Sequence, residues 1–276
     1  MTPNENPEIG RTVSAGSIDT NFHDVGDGPP VLLIHGSGPG VTAWANWRTV
    51  IPGLSDGLRV IAPDMVGFGY TARPDDAVYG LDFWVKHALD FLDALEIERT
   101  HIVGNSFGGA LALALAIRAP DRVERLVLMG SAGLNFDLTP GLDAVWGYEP
   151  AVENMRRLVD LFTYDKKYLT VDLVKMRYEA SVRPGYQESY SQMFPAPRQS
   201  GVASLSSPED KIAALAHETL IVHGRDDQVI PLESSYRLHQ LISRSELHVF
   251  GQCGHWTQIE HNARFCWLVA DFLGQE

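Results

Sequence analysis

Gly104-Asn105-Ser106-Phe107-Gly108 joins a short β-branched run, Thr100-His101-Ile102-Val103, to a run of strong helix formers, Gly109-Ala110-Leu111-Ala112-Leu113-Ala114-Leu115-Ala116. The first run has the composition of a buried strand and the second that of a buried helix, so the chain is expected to turn from strand to helix at Ser106. Glycine at 104 and 108 removes side chains where strand and helix crowd each other, which lets the serine occupy a strained turn with its hydroxyl clear of the sheet. The Phe107 N–H opens the helix and points to where a negatively charged oxygen would form. A G-x-S-x-G pentapeptide also arises in ordinary loops, where the serine only shapes a turn. The strand and helix on its two sides favour a reactive serine and require a histidine and an acid elsewhere in the chain.

Toward the N-terminus, residues 11 to 24 alternate weakly and suggest an opening pair of edge strands before the turn Gly26-Asp27-Gly28-Pro29-Pro30. Val31-Leu32-Leu33-Ile34 reads as a fully buried strand ending in His35-Gly36-Ser37-Gly38-Pro39-Gly40. So much glycine lets backbone approach a ligand closely, and the Ser37 N–H is the natural second donor facing that of Phe107. A phosphate loop would need a lysine followed by Ser or Thr, and none follows. Trp44 to Leu54 is expected as a helix despite Pro52, Arg59 to Ala62 as a strand, and Tyr79 to Leu95 as a helix with one apolar face. Asp64, just after a strand, is expected to order its loop. Alternation of strands and helices from residue 31 to residue 132 implies a parallel sheet covered on both faces.

Beyond Arg125-Leu126-Val127-Leu128-Met129 the pattern breaks. Residues 133 to 208 contain no strand signal, but helical segments such as Ala151 to Phe162 and Val171 to Ala180 are punctuated by Pro140, Pro150, Pro184, Pro195 and Pro197. The expectation is a core domain of residues 1–132 and 209–276 with a helical lid, 133–208, inserted between its halves. Apolar lid residues, Trp146, Phe162, Met193 and Phe194 among them, serve internal packing more often than pocket walls. Strands resume at Glu218 to His223 and Leu247 to Phe250, with a helix between them from Pro231 to Ile242 and a closing helix from Glu260 to Leu273.

The chain has 276 residues, 45% of them hydrophobic, enough for one large α/β domain or a domain with an insertion. A formal charge of −13 with no basic run argues against nucleic acid and against an anionic membrane surface as partners. Met1 to Gly10 is polar and unlike a signal peptide, no stretch reaches transmembrane length, and Cys253 and Cys266 make no disulfide framework. These features lead to the expectation of a cytoplasmic protein with no structural metal and no cofactor. The sequence is compatible with a homo-oligomer.

A serine hydroxyl needs a base that takes its proton during attack and returns it to the leaving group, and histidine fits both roles. Of ten histidines, His255 lies in Gly251-Gln252-Cys253-Gly254-His255-Trp256, a glycine-bearing loop directly after the last strand that can reach over the sheet edge. His101, His223 and His248 fall within strands and read as core residues, while His35 belongs to the glycine-rich loop and suits a structural role. The imidazole needs an acid to fix its tautomer, and Gly224-Arg225-Asp226-Asp227 offers two after a strand. Cys253 is an improbable nucleophile, since two side chains in one short loop seldom reach in-line geometry.

Together these stretches resemble the α/β-hydrolase fold, which implies an α/β architecture with a mostly parallel central sheet flanked by helices and an inserted helical lid. The resemblance favours Asp227 as the acid, with Asp226 left to order its loop, and the order Ser106, Asp227, His255 is the one that fold uses. More narrowly, His35 to Gly40 followed by Trp44-Ala45-Asn46-Trp47, the Asn105 before Ser106, Met176-Arg177-Tyr178-Glu179, and Gly251 to Trp256 are similar to the meta-cleavage product hydrolases of bacterial aromatic degradation. That similarity implies hydrolysis of a carbon–carbon bond in 2-hydroxy-6-oxo-2,4-dienoates, with a small-molecule dienoate as partner. It implies further that Arg177 binds the substrate carboxylate, that Asn46, Asn105 and Trp256 donate to nearby oxygens, and that Trp146 and Phe162 surround a methyl or small alkyl group at C6. Taken without the resemblance, Arg177 would be a solvated helix residue paired with a glutamate. A carboxylesterase or lactonase with the same three groups is the alternative, and a ligand receptor on this fold a more distant one.

Overall fold

The computed structural model describes residues 6–274; residues 1–5 of the polar opening stretch and residues 275–276 lie outside it. Among the described residues eight strands form one sheet: β1 Arg11–Ala15, β2 Ile18–Val25, β3 Pro30–Ile34, β4 Arg59–Pro63, β5 Thr100–Asn105, β6 Val123–Met129, β7 Thr219–Gly224 and β8 Ser245–Phe250. Their spatial order is β1-β2-β4-β3-β5-β6-β7-β8, with β1 and β2 antiparallel to their neighbours and every later pair parallel. The chain leaves β3 toward β4 on one side and returns to β5 on the other. The loops after β3 and β5 therefore part at a topological switch point, where a crevice opens beyond the strand ends.

The helices are α1 Ala43–Trp47, α2 Ile51–Leu54, α3 Leu81–Ala94 and α4 Phe107–Arg118; then, between β6 and β7, α5 Pro140–Trp146, α6 Val152–Phe162, α7 Val171–Ser181, α8 Tyr186–Met193, α9 Gln199–Leu205 and α10 Glu209–Ala213; then α11 Leu232–Leu241, α12 Thr257–Glu260 and α13 Asn262–Leu273. Both sheet faces are covered, which the period of β3 makes plain. Val31 and Leu33 join one apolar cluster with Trp47, Leu54 and Phe265, while Leu32 and Ile34 join the other with Phe91, Leu111 and Phe107. Each such side chain, fully buried, contributes about 1.5–3 kcal/mol, which is why the central strands read as unbroken apolar runs.

Two expected helices are broken. Trp44 to Leu54 divides into α1 and α2 because Pro52 in a helix interior would lose an N–H bond and clash with the carbonyl of Arg48; it sits instead in the first turn of α2. Glu260 to Leu273 begins earlier, at α12, and is interrupted at His261, whose φ of −122° and ψ of 38° are not helical. Between β6 and β7 the prolines act as punctuation, and Thr139 and Thr170 cap α5 and α7 by accepting from the Leu142 and Leu173 amides. No helix of the described residues is long and apolar enough to cross a membrane.

Candidate active site

Ser106 stands at the end of β5 with φ 55° and ψ −112°, a conformation that L-residues rarely adopt. It is over-determined by hydrogen bonds: its N–H donates to the Met129 carbonyl at 2.9 Å, and its carbonyl accepts from Gly109, Ala110 and Ala132. A Cβ at Gly104 would land on the Gly108 carbonyl, and one at Gly108 on the Ile34 carbonyl, so the two glycines set how closely α4 passes over β5 and β3. The serine side chain is left projecting into the crevice at the switch point, on the wall of a narrow pocket.

The loop after β8 brings His255 to that pocket and the loop after β7 brings Asp227 behind it. His255 Nδ1–H donates to Asp227 Oδ2 at 2.7 Å, since a carboxylate can only accept, and this leaves Nε2 as the basic nitrogen. Asp227 Oδ1 accepts from the amides of Val229 (2.7 Å) and Ile230 (3.1 Å). Burial works against the Asp227 charge, yet the imidazole of His255 and hydrogen bonds from His223 and His255 hold its carboxyl well below the usual carboxylate range. Asp226 instead accepts from the Cys253 amide and Arg225, ordering the loop as expected. Among the described residues neither Ser106 Oγ nor His255 Nε2 is engaged in a hydrogen bond, and both residues line the one pocket.

Across the crevice, the Ser37 and Phe107 amides likewise donate to no group among the described residues. His35 supports the first of them: its Nε2 accepts from the Met65 amide at 3.0 Å and its Nδ1–H donates to the Gly36 carbonyl at 2.7 Å. Burial pushes this imidazole down to about 4, so it is neutral at physiological pH and structural, as its loop position suggested. Asp64 also orders its surroundings, accepting from Ala43, Tyr70 and Asn21.

Arg177, on α7, lines the pocket but is buried, and it forms no ion pair among the described residues; its Nη1 has no acceptor. The surface pairing with a glutamate does not occur, for Glu179 lies by Lys175 instead. Burial, reinforced by Arg48, lowers the guanidinium to about 10, which leaves it charged at neutral pH. Asn105 Nδ2 donates to Asn46 Oδ1 at 2.9 Å, and Asn46 Nδ2 and Asn105 Oδ1 are both left without a partner. Such buried, unsatisfied polar atoms cost stability unless a ligand completes them.

Of the sequence candidates, Ser37, Asn46, Asn105, Ser106, Phe162, Arg177, His255 and Trp256 line this pocket, and Asp227 supports it from behind. Trp146 does not line it: its ring stacks on Phe194 at 4.7 Å and its indole N–H donates to Ser37 Oγ at 3.0 Å. The Phe107 side chain turns into the core against Trp84, leaving only its amide for the crevice. Phe162, expected mainly as packing, stacks on both His255 and Trp256. Sequence reading missed Leu142, Val145 and Val229 in the wall, because an apolar residue facing a cavity has the same pattern as one facing the core. It also missed His223, whose Nε2 lies 3.3 Å from Asp227 Oδ2; its spacing of four residues before the acid was the available signal. Cys253 is fully buried, its thiol pushed up to about 12 by burial, so it is no nucleophile.

A family model described as alpha/beta hydrolase fold matches residues 29–262. The chain is 63% identical to a 2-hydroxy-6-oxo-2,4-heptadienoate hydrolase of Pseudomonas putida strain F1, over 99% of both chains. It is 62% identical to a 2-hydroxymuconate semialdehyde hydrolase of Pseudomonas sp. strain CF600, over 99% of this chain and 96% of the relative. Among solved structures, a variant of the meta-cleavage product hydrolase CumD from Pseudomonas fluorescens IP01 superposes with a TM-score of 0.96 at 59% identity, over 97% of this chain and 98% of that one. With the sheet order, the strained serine and the length of these matches in hand, the chain belongs to the α/β-hydrolase fold family and, within it, to the meta-cleavage product hydrolases.

Proposed function

We propose that the chain hydrolyses the C5–C6 bond of 2-hydroxy-6-oxo-2,4-dienoates that carry a methyl or other small alkyl group at C6, with Ser106, His255 and Asp227 as its catalytic triad. The observation that carries this reading is Arg177: a buried guanidinium without an ion pair, in the same pocket as the strained serine, in a chain of net charge −13. A simple ester would give that cation nothing to bind, whereas the C1 carboxylate of a dienoate would accept its planar donors.

In this reading the carboxylate and 2-oxygen lie among Arg177, Asn46, Asn105 and Trp256, which favours the keto tautomer and moves a proton to C5. Ser106 Oγ then attacks the C6 carbonyl while His255 Nε2 takes its proton, and the Ser37 and Phe107 amides receive the developing oxyanion. Each such donor is worth roughly 3–4 kcal/mol in comparable sites. The C5–C6 bond breaks, its electron pair leaves on C5 as a carbanion stabilised by the conjugated ketone, and His255 returns the proton there. Water, deprotonated by the same imidazole, releases the C6 acid from Ser106. The helical insertion would act as a lid, with Leu142, Val145, Phe162 and Val229 enclosing the C6 substituent. The names of the relatives, a heptadienoate and a muconate semialdehyde hydrolase, support a small group at that position.

Dienoates absorb strongly and their cleavage bleaches them. Purified protein should bleach the methyl-ended compound fastest, the isopropyl-ended one more slowly and the phenyl-ended one least, with Ser106→Ala inactive on all three. No bleaching of any of them by the wild-type protein would remove the assignment.

A further inference from the structure

Ser37 is the meeting point of two lid residues and one core residue. Trp146 Nε1, at the end of α5, donates to Ser37 Oγ at 3.0 Å. The Tyr190 hydroxyl, on α8, is placed 2.9 Å from the Ser37 carbonyl and 2.8 Å from that of Val145, and donates to the pair of them. From the core, His35 Nδ1–H holds the Gly36 carbonyl. A peptide unit is planar and trans, so its C=O and N–H point in opposite directions. Fixing the Gly36 carbonyl on His35 therefore turns the Ser37 N–H the other way, and fixing the Ser37 carbonyl on Tyr190 locks the second plane of the same residue. The carbonyl and hydroxyl of Ser37 are committed, and its amide alone is kept free.

We infer that Tyr190 is a positioning residue for the reaction: its hydroxyl, with the Trp146 indole, clamps the loop after β3 so that the Ser37 amide is aimed before substrate arrives. The inference rests on the reading of that amide as an oxyanion donor. Tyr190 is buried, and burial pushes its phenol well above the ordinary value, so it stays protonated and able to donate. It touches the loop and Val145 but is not part of the pocket wall, so its hydroxyl acts on the transition state through Ser37 and not on substrate binding. Both clamping side chains come from the segment between β6 and β7, so that segment shares with the core residue His35 the fixing of the loop that carries the Ser37 amide.

The test compares Tyr190→Phe with Tyr148→Phe. Tyr148 is also a buried lid tyrosine, but its hydroxyl meets Ser181 and the Ala151 backbone and not the loop after β3. Two probes are used: 2-hydroxy-6-oxo-2,4-heptadienoate for turnover, and a small trifluoromethyl ketone, whose carbonyl takes up a serine oxygen to give a tetrahedral anion. Tyr190→Phe should lower kcat about 10-fold or more with KM within about 2-fold, and should weaken the ketone by a similar factor; Tyr148→Phe should leave all three within about 2-fold. Retention of kcat and ketone affinity in folded Tyr190→Phe, or an equal loss in Tyr148→Phe, would overturn the inference. If Tyr190→Phe does not fold, Trp146→Phe, which removes the other bond to Ser37, must lower kcat and ketone affinity together, and failure to do so overturns it equally. A wild-type protein that does not bleach the dienoate would instead count against the proposed substrate, and the ketone arm, which needs only the serine and its amides, would still decide the role of Tyr190.

Discussion

The Arg177 guanidinium lies 5.6 Å from the centre of the Trp256 ring, a cation held over an aromatic face within a pocket and with no ion pair among the described residues. Stacking of this kind offsets part of the desolvation of a buried charge but not all of it. Arg177→Met should therefore act in two opposite ways. KM for a dienoate should rise roughly 10- to 100-fold, the worth of a charge-assisted hydrogen bond to a carboxylate. The melting temperature should rise by about 2–4 °C, because an apolar chain of similar volume replaces an uncompensated charge. Hydrolysis of a neutral short-chain ester should survive. An unchanged dienoate KM would show that the cation serves packing alone.

Ser106 stores strain that a substitution can release. Its φ of 55° with ψ of −112° is open to glycine at little cost and is unfavourable for any residue with a Cβ. Both Ser106→Ala and Ser106→Gly should abolish dienoate bleaching, but only the second should relax the turn. Chemical denaturation should find Ser106→Gly more stable than Ser106→Ala by about 1 kcal/mol, the strain relieved less the extra entropy of an unfolded glycine. Equal stability of the two would mean that the elbow is not strained.

How much of this was legible in the sequence follows from what each residue type can do. Ser106 and His255 could be read because each lies at or just past the end of a strand, and parallel strands bring their C-terminal ends to one edge, whereas the choice of Asp227 over Asp226 came from the family resemblance. Gly104 and Gly108 could be read because only glycine fits a backbone that touches another backbone. The helix breaks near Pro52 and at His261 were blurred, since local propensity is weaker than the packing that ends a helix. Trp146 shows the limit most clearly. The family resemblance implied contact with substrate, but whether an aromatic ring faces a cavity or another ring depends on partners, here Phe194 and Ser37, that lie far away in the chain. His223 was hidden in the same way, as a strand residue facing inward reads as core whatever it meets there.

Leu142 lies in the pocket wall on α5 and is otherwise buried in the core, so shortening it should trade stability for room. Leu142→Ala should raise kcat/KM for a phenyl-ended dienoate relative to a methyl-ended one, read as the ratio of the two bleaching rates. It should also cost about 2–4 kcal/mol in denaturation, unless the cavity collapses. A selectivity ratio that does not move would place the C6 substituent against another part of the wall.

Two buried imidazoles make the fold sensitive to mild acid. His35 Nε2 accepts from the Met65 amide, and His87 Nδ1 accepts from the Val66 amide at 3.2 Å while its Nε2–H faces Thr20 Oγ1. A proton added to either ring would point at an N–H, and burial lowers both to about 4. The unfolded chain, with histidines near 6.5, therefore binds protons that the folded chain refuses. The stability contributed by these rings is full above about pH 6.5 and is lost as the pH falls toward 4. Asp64 works against this. Its carboxyl, raised by burial to about 6 despite three donated hydrogen bonds, takes up a proton in the folded state over much of the same range. Asp227, held below the ordinary carboxylate range, loses its share only below about pH 4. Two rings displaced downward outweigh one carboxyl displaced upward, leaving a net loss on the order of 3 kcal/mol near pH 4.5 relative to pH 8. Urea unfolding should show the midpoint falling across that interval, and His87→Gln, which cannot titrate, should flatten the slope. A midpoint that stays level from pH 7 to 5 would mean that these rings accept protons without disturbing the bonds they make to Met65 and Val66.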